Sequence, residues 1–158
     1  MDKATKKCGD CGQKKPIEEF VTIYGYKNPR GKYCNECYLK HEQEHANELL
    51  NGTGKCPYCG IPITKVYDWL EDGKSKRTYL HRDHMNPISL GGDDTDENTI
   101  YCCVPCNLRK KDMVFADWLD ELEPEQQIKA RDIYVRMHGY EPEEFEPHDT
   151  KFTITIKL

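Results

Sequence analysis

Eight of the nine cysteines in this chain fall into four pairs, Cys8/Cys11, Cys34/Cys37, Cys56/Cys59 and Cys103/Cys106, each with two residues between the sulfurs. This feature limits the fold more than any other. Two intervening residues let a tight turn aim both thiolates at one ion, and two such knuckles complete a tetrahedral four-sulfur zinc site. The simplest pairing joins the first two knuckles into one site and the last two into another, leaving Cys102 over. The other reading, buried or redox-active thiols, sits poorly with four such pairs in 158 residues. Four-sulfur sites are closed and structural, so catalytic groups must be sought elsewhere. The sequence has no N-terminal apolar segment of the signal-peptide kind and no apolar run long enough to span a membrane. The expectation is a cytoplasmic protein, where paired cysteines read as metal ligands rather than disulfides.

Composition explains why metal is needed. Only 37% of residues are hydrophobic and the mean hydropathy is −0.88, so one large core is not expected. Bound zinc supplies folding energy that a poor core cannot. Charge is uneven: residues 1–40 hold nine Lys/Arg against five Asp/Glu, whereas residues 116–158 hold five against eleven. The pI near 5.7 argues against a generally basic nucleic-acid binder. The basic N-terminal third remains as a local binding surface.

The expected fold is α+β: a small zinc-stapled protein of three parts. Residues 1–52 read as a four-cysteine module, 53–114 as a second zinc-bearing core, and 115–158 as acidic helices with a terminal strand. In the first part, two extended pieces flank a turn at 28–31. Lys27, Arg30 and Lys32 surround that turn among tyrosines, a pattern suited to a phosphate backbone or to a soluble turn packed on the knuckles. A helix follows and stops at Asn51-Gly52. His41 and His45 on it read as a polar face rather than a metal pair. In the third part, Phe115, Trp118, Leu119 and Leu122 form a helical stripe. A second helix runs from Pro124 to Gly139, with Ile128, Ile133, Tyr134 and Met137 as its apolar positions. Residues 152–156 alternate as a strand.

Between the last two knuckles lies "HRDHMNPISLGGDD", then "DEN", "TIYCC" and "VPCNLRKK". These residues, in this order and with these flanking knuckles, resemble the HNH endonuclease family (the His-Me finger group) over about residues 56–112. The resemblance implies a ββα-metal fold, two antiparallel strands and a helix around one catalytic divalent ion. It implies Asp83 as a ligand of that ion, His84 as general base, Asn98 as a brace of the inter-strand loop, and Asn107 as a second ligand. Many members carry His at that last position, so this chain is a variant. "CGDCGQKKPIEEF" with "YCNEC" also looks like a zinc-ribbon segment ahead of some phage-type or restriction HNH nucleases.

The chemistry agrees with these roles. A neutral imidazole can take a proton from water at neutral pH. Carboxylate and amide oxygens suit magnesium or manganese, which can stabilise charge on the phosphate and the leaving O3′. Strand alternation sends Asp83 and His84 to opposite faces unless the chain bends near Pro87. His81, Arg82, Arg109, Lys110 and Lys111 lie beside the motif. Lys110 or Lys111 is the candidate phosphate contact, with Arg82 and Arg109 as further DNA contacts and His81 as a neighbouring support. The expected cofactors are two structural zinc ions and one catalytic magnesium or manganese ion, and the expected substrate is double-stranded DNA. The competing readings are a non-catalytic double-zinc binding module and a partner-dependent accessory factor of phage DNA packaging or restriction. A homodimer through the 115–122 stripe or the terminal strand would let two sites cut two strands.

Overall fold

The computed structural model describes residues 4–22, 30–70, 72 and 74–148. Lys27 and the terminal strand expected at 152–156 lie outside the described residues, as does the side chain of Arg30. Short strands, all in antiparallel pairs, and helices of modest length make two compact units. One comprises the chain up to Gly54 together with 63–79, and the other comprises 55–62 together with the chain from Leu80 onward. The third knuckle therefore groups with the fourth, while the segment after it groups with the N-terminal part. The boundary expected between 114 and 115 falls inside one unit.

In the first unit, β1 (Thr5–Lys7) pairs with β2 (Lys14–Pro16) around the first knuckle. The turn is closed by the Cys8 N–H donating to Gln13 O at 2.9 Å and the Gly12 N–H to Cys8 O at 3.2 Å. β3 (Phe20–Thr22) pairs with β4 (Arg30–Cys34), which runs directly into α1 (Asn35–Leu49). Cys34 is extended at the helix N-terminus and Cys37 sits in the first turn, so the second knuckle is a strand-to-helix corner. The helix stops where expected, with Asn51 and Gly52 both at positive φ. The buried core here is small: Phe20 packs with Cys8 and Cys34, with Tyr33 and Cys37 against them. A hairpin of β5 (Tyr67–Trp69) and β6 (Lys76–Thr78) completes the unit. Its turn is held by the Asp72 carboxylate, which accepts the N–H groups of Lys74 and Ser75.

In the second unit, β7 (Leu80–His84) pairs with β8 (Thr99–Cys103) in unbroken register from Leu80↔Cys103 to His84↔Thr99. β8 turns at the fourth knuckle into α2 (Val104–Lys110), with Pro105 in the first turn, where its missing N–H costs no hydrogen bond. α3 (Phe115–Asp120) and α4 (Pro124–His138) follow, and Gly139 at φ 79° ends α4. The core is aromatic: Tyr58 meets the Trp118 edge at 5.5 Å and Phe115 stacks on Tyr134 at 4.7 Å.

Phe115, Trp118, Leu119 and Leu122 are all buried within this unit, so the stripe expected to build a dimer is already covered by its own unit. Ile128, expected on the apolar side of α4, is 64% exposed, and Ala130 and Tyr134 fill the buried face instead. These two stand at i and i+4, one turn apart on the same stripe. No helix among the described residues is long and apolar enough to cross a membrane.

Candidate active site

Local chain geometry brings the cysteines together as their spacing predicts. Cys8, Cys11, Cys34 and Cys37 form one set and Cys56, Cys59, Cys103 and Cys106 the other, and within each set the sulfurs lie within 4.8 Å of one another. Backbone N–H groups point at them: those of Asp10 and Cys34 donate to Cys8 Sγ at 3.5 and 3.4 Å, and that of Cys103 to Cys56 Sγ at 3.4 Å. Such donors favour the thiolate. The Cys34 N–H draws the Cys8 thiol down to about 6, and the Cys106 thiol draws Cys56 down to about 5. Burial pushes Cys37 up, and its bond to Cys56 pushes Cys106 up. Each set is a closed group of four soft donors, the chemistry that zinc fits. Cys102, beside them on β8, is fully buried and its thiol is pushed up by burial. His41 Nε2 lies 3.2 Å from Asp10, on a polar face as expected.

The other candidate residues cluster where α2 crosses β7. Asp83 is 4% exposed. Its Oδ2 accepts a hydrogen bond from the Tyr58 hydroxyl at 2.7 Å and its Oδ1 from Lys110 Nζ at 3.2 Å. Lys110 is itself 1% exposed and also donates to His84 O at 2.7 Å. Burial lifts the Asp83 carboxyl above the usual range, and burial lowers the Lys110 ammonium. Lys110 therefore points into the unit rather than toward solvent at the helix end. Lys111 is the exposed one, at φ 48° just past the helix. Asn107, one turn before Lys110, places its Nδ2 3.0 Å from His81 Nδ1.

His84 leaves the opposite face of β7, as strand alternation requires when the register is unbroken. The bend looked for near Pro87 is not within the strand pairing. The His84 ring is half-buried, with Nε2 2.8 Å from Asp94 Oδ1. That hydrogen bond, ahead of other causes, holds the Asp94 carboxyl below its ordinary range. Arg82 reaches Asp94 at 3.2 Å and Asp96 at 3.4 Å. Beyond His84 the chain loops back through Asn98. The Asn98 side chain accepts the Asn86 N–H at 2.9 Å and donates to Asn86 O at 2.9 Å and Asp93 O at 2.7 Å. Its own carbonyl accepts the Met85 N–H at 2.8 Å. The loop closes so tightly that a Cβ on Gly92 would lie 2.0 Å from Asn86 O.

Among the described residues, the two cysteine sets are the only groups of three or more His, Cys, Asp or Glu side chains placed to share an ion. Asp83 and Asn107 offer one carboxylate and one amide oxygen. In the structure both Asp83 oxygens are taken, by Tyr58 and Lys110. Arg109 lies over the Trp118 ring at 5.4 Å and 4.0 Å from Glu121. Lys32, in the first unit, is exposed with its ammonium 5.5 Å from the Tyr33 ring centroid.

Several residues at this site escaped the sequence reading. Asp94 stands in an acidic loop that read only as a connector. Tyr58 sits between two cysteines and read as part of a knuckle. Tyr134 and His138 come from a helix far along the chain, and no local pattern joins them to the loop they touch.

Residues 56–113 match the HNH endonuclease family. Over 127 residues, 75% of this chain, the sequence is 26% identical to YoqL of the SPbeta prophage of Bacillus subtilis (strain 168), a protein named as an HNH endonuclease. The match spans about half of that relative, 51% of its length. The stretch matched to the family runs from the third knuckle through β7, the Asn98 loop and β8 to the end of α2, the part in which His84, Asn98 and Asn107 are held. Residues 56–113 are therefore an HNH endonuclease domain.

Proposed function

We propose that this chain is a divalent-metal-dependent DNA endonuclease in which His84 is the general base. The observation that carries this reading is the state of the His84 ring on the first strand of the HNH domain. Its Nε2 faces the Asp94 carboxylate at 2.8 Å, which fixes the proton there. In the neutral ring Nδ1 is then the acceptor, the atom that would take a proton from water. The arrangement has the logic of a base oriented by a neighbouring carboxylate.

In the proposed reaction, water gives a proton to His84 Nδ1 as its oxygen attacks phosphorus. The P–O3′ bond breaks and the leaving oxygen takes up a proton from solvent. Asp83 and Asn107 are the residues that would hold magnesium or manganese, an ion that supplies charge neutralisation at the phosphate and the departing oxygen. The two cysteine sets would each hold a structural zinc. Asn98 braces the loop behind His84. Lys111 and Arg109 would meet the phosphate backbone beside the site, with Lys27, Arg30 and Lys32 of the N-terminal module as an outer contact. Arg82, tied to Asp94 and Asp96, would exchange those carboxylates for phosphate. The prophage origin of the relative agrees with a phage-type role.

A second reading, a non-catalytic zinc-bearing DNA-binding module, draws on one observation. Asp83 already has a buried cation beside it in Lys110. Cleavage of supercoiled plasmid by purified protein with magnesium or manganese, with a chelator as control, separates the two. His84→Ala should lose roughly 10²–10⁴-fold in rate, the usual worth of a general base, with zinc content unchanged. Near-normal cleavage by that variant would remove His84 from the mechanism, and binding without cleavage by the intact chain would favour the second reading.

A further inference from the structure

The family match ends at residue 113, yet the loop that follows His84 is held from beyond that point. His138, the last residue of α4, sets its Nε2 3.1 Å from Asn98 Oδ1 and its Nδ1 3.1 Å from Tyr134 O. One turn earlier, Tyr134 has no exposed surface, and its hydroxyl bonds Asn86 Nδ2 at 2.7 Å and Asn86 Oδ1 at 3.1 Å. The His138 ring stacks on Tyr134 at 3.9 Å between centroids, 15° from parallel. Two neighbouring side chains of α4 thus hold the two asparagines at the ends of the loop, Asn86 and Asn98.

The hydrogen bonds of Asn98 define what the His138 ring meets. Asn98 Nδ2 donates to two backbone carbonyls, so its amide orientation is fixed and Oδ1 is an acceptor. A ring nitrogen facing that oxygen must carry a hydrogen. Nδ1 faces a second acceptor, the Tyr134 carbonyl at 3.1 Å, so a neutral ring can donate to only one of the two oxygens; burial lowers the His138 pKa, while the Tyr134 carbonyl raises it. The same Asn98 oxygen also accepts the Asn86 N–H, and the Asn98 carbonyl accepts the Met85 N–H. Those are the two backbone amides immediately after His84.

We infer that His138 is a positioning residue for the general base: its ring proton sits on Nε2, and by donating it to Asn98 the ring fixes the Met85–Asn86 backbone and so the aim of the His84 ring. The inference rests on the nuclease reading for its effect on rate. It makes the C-terminal helix part of the active site of this chain rather than an acidic appendage. A base displaced by a fraction of an ångström loses rate without losing substrate affinity.

Two substitutions separate the hydrogen bond from the stack. His138→Phe keeps a ring against Tyr134 and removes the donor. His138→Gln gives up the ring and keeps an N–H donor at the place of Nε2. On a duplex substrate with magnesium, His138→Phe should lower kcat by roughly tenfold or more and leave KM within about twofold, while His138→Gln should stay within about threefold of the parent. The ring ¹⁵N and ¹H resonances of His84 should move in His138→Phe and hold in His138→Gln. Parental kcat in His138→Phe overturns the inference, and so does a loss in His138→Gln equal to that in His138→Phe. If His138→Phe sheds its zinc or its fold, His138→Gln decides alone: retained kcat supports the role, and a tenfold loss rejects it. If the parent cleaves nothing, the nuclease reading fails by itself. The His84 resonances then still decide the positioning role, upheld if they move only in His138→Phe and rejected if they move in neither variant or in both.

Discussion

The two cysteine sets present the same four donors in unlike surroundings. Around the first, Phe20 is the one large side chain buried in the cluster core among the described residues, and α1 buries only Ala46. The second belongs to a unit that also buries Tyr58, Met85, Ile100, Phe115, Trp118 and Tyr134. In the first unit a bound metal would be most of what can hold the strands and helix together. In the second it would have a narrower duty. It would pin the start of α2 to the third knuckle, and so fix Asn107 and Lys110 against β7. One ligand set thus acts as a core in one place and as a jig in the other.

Removing the metal tests that contrast most severely. Structural zinc contributes on the order of 10–16 kcal/mol in small zinc domains, as much as the whole stability of an ordinary domain. A strong chelator, or Cys34→Ser, should abolish hydrogen-exchange protection in β3, β4 and α1. Cys106→Ser should leave the amides of α4 protected while cleavage is lost. Equal collapse of both units in both variants would refute the distinction between core and jig.

A smaller effect probes the polar interior of the second unit. Lys110→Ala leaves the Asp83 carboxylate buried with only the Tyr58 hydroxyl. Breaking a buried ion pair from one side costs about 3–5 kcal/mol, so the variant should lose that much in denaturant titration, mostly in the second unit. Burial already raises the Asp83 pKa, and without Lys110 it rises further. A carboxyl with a raised folded-state pKa contributes stability at low pH that is lost as pH climbs through that pKa. The defect should therefore be mildest at acid pH and grow as pH climbs through that raised pKa. A pH-independent defect would show that Lys110 acts by packing alone.

The smallest effect lies at the surface. Arg131 on α4 grips Glu143 with both guanidinium nitrogens, and that grip pulls the Glu143 carboxyl down to about 2. Both groups are more than a third exposed, so solvent screens the pair and Glu143→Gln should cost under about 1 kcal/mol. A depressed carboxyl stabilises above its unfolded pKa and loses that benefit as pH falls through the folded value. The difference between parent and variant should thus fade from pH 4.5 toward pH 2, and also in high salt. A cost of several kcal/mol would mean that this turn, not the aromatic core, secures the C-terminal elements.

What could be read from the sequence was what is written locally. Ligand spacing gave the two cysteine sets, and the order of the Asp83-His84, Asn98 and Asn107 segments gave two strands and a helix. Helix ends followed from Asn51-Gly52 and Gly139. Contacts that depend on which faces meet were not legible. Lys110 looked like a phosphate contact at an exposed helix end. It stands three residues after Asn107, on the same face of α2, and α2 lays that face on β7. Asp94 was one carboxylate among several in a loop, and only the folded path of the chain carries it to His84. Tyr134 and His138 lie 48 and 40 residues from their partners Asn86 and Asn98, beyond the reach of any periodic pattern.

Gly92 carries no functional group, yet the steric limit it imposes is among the most severe in the described chain. Even the smallest side chain there would have to push aside the Asn86 carbonyl, an acceptor for Asn98, together with the Pro87 carbonyl 3.0 Å away. Mutational tolerance in this domain should therefore be lowest at positions that bring space rather than chemistry. A library screened for activity would find replacements for some charged neighbours of the site sooner than for this hydrogen atom.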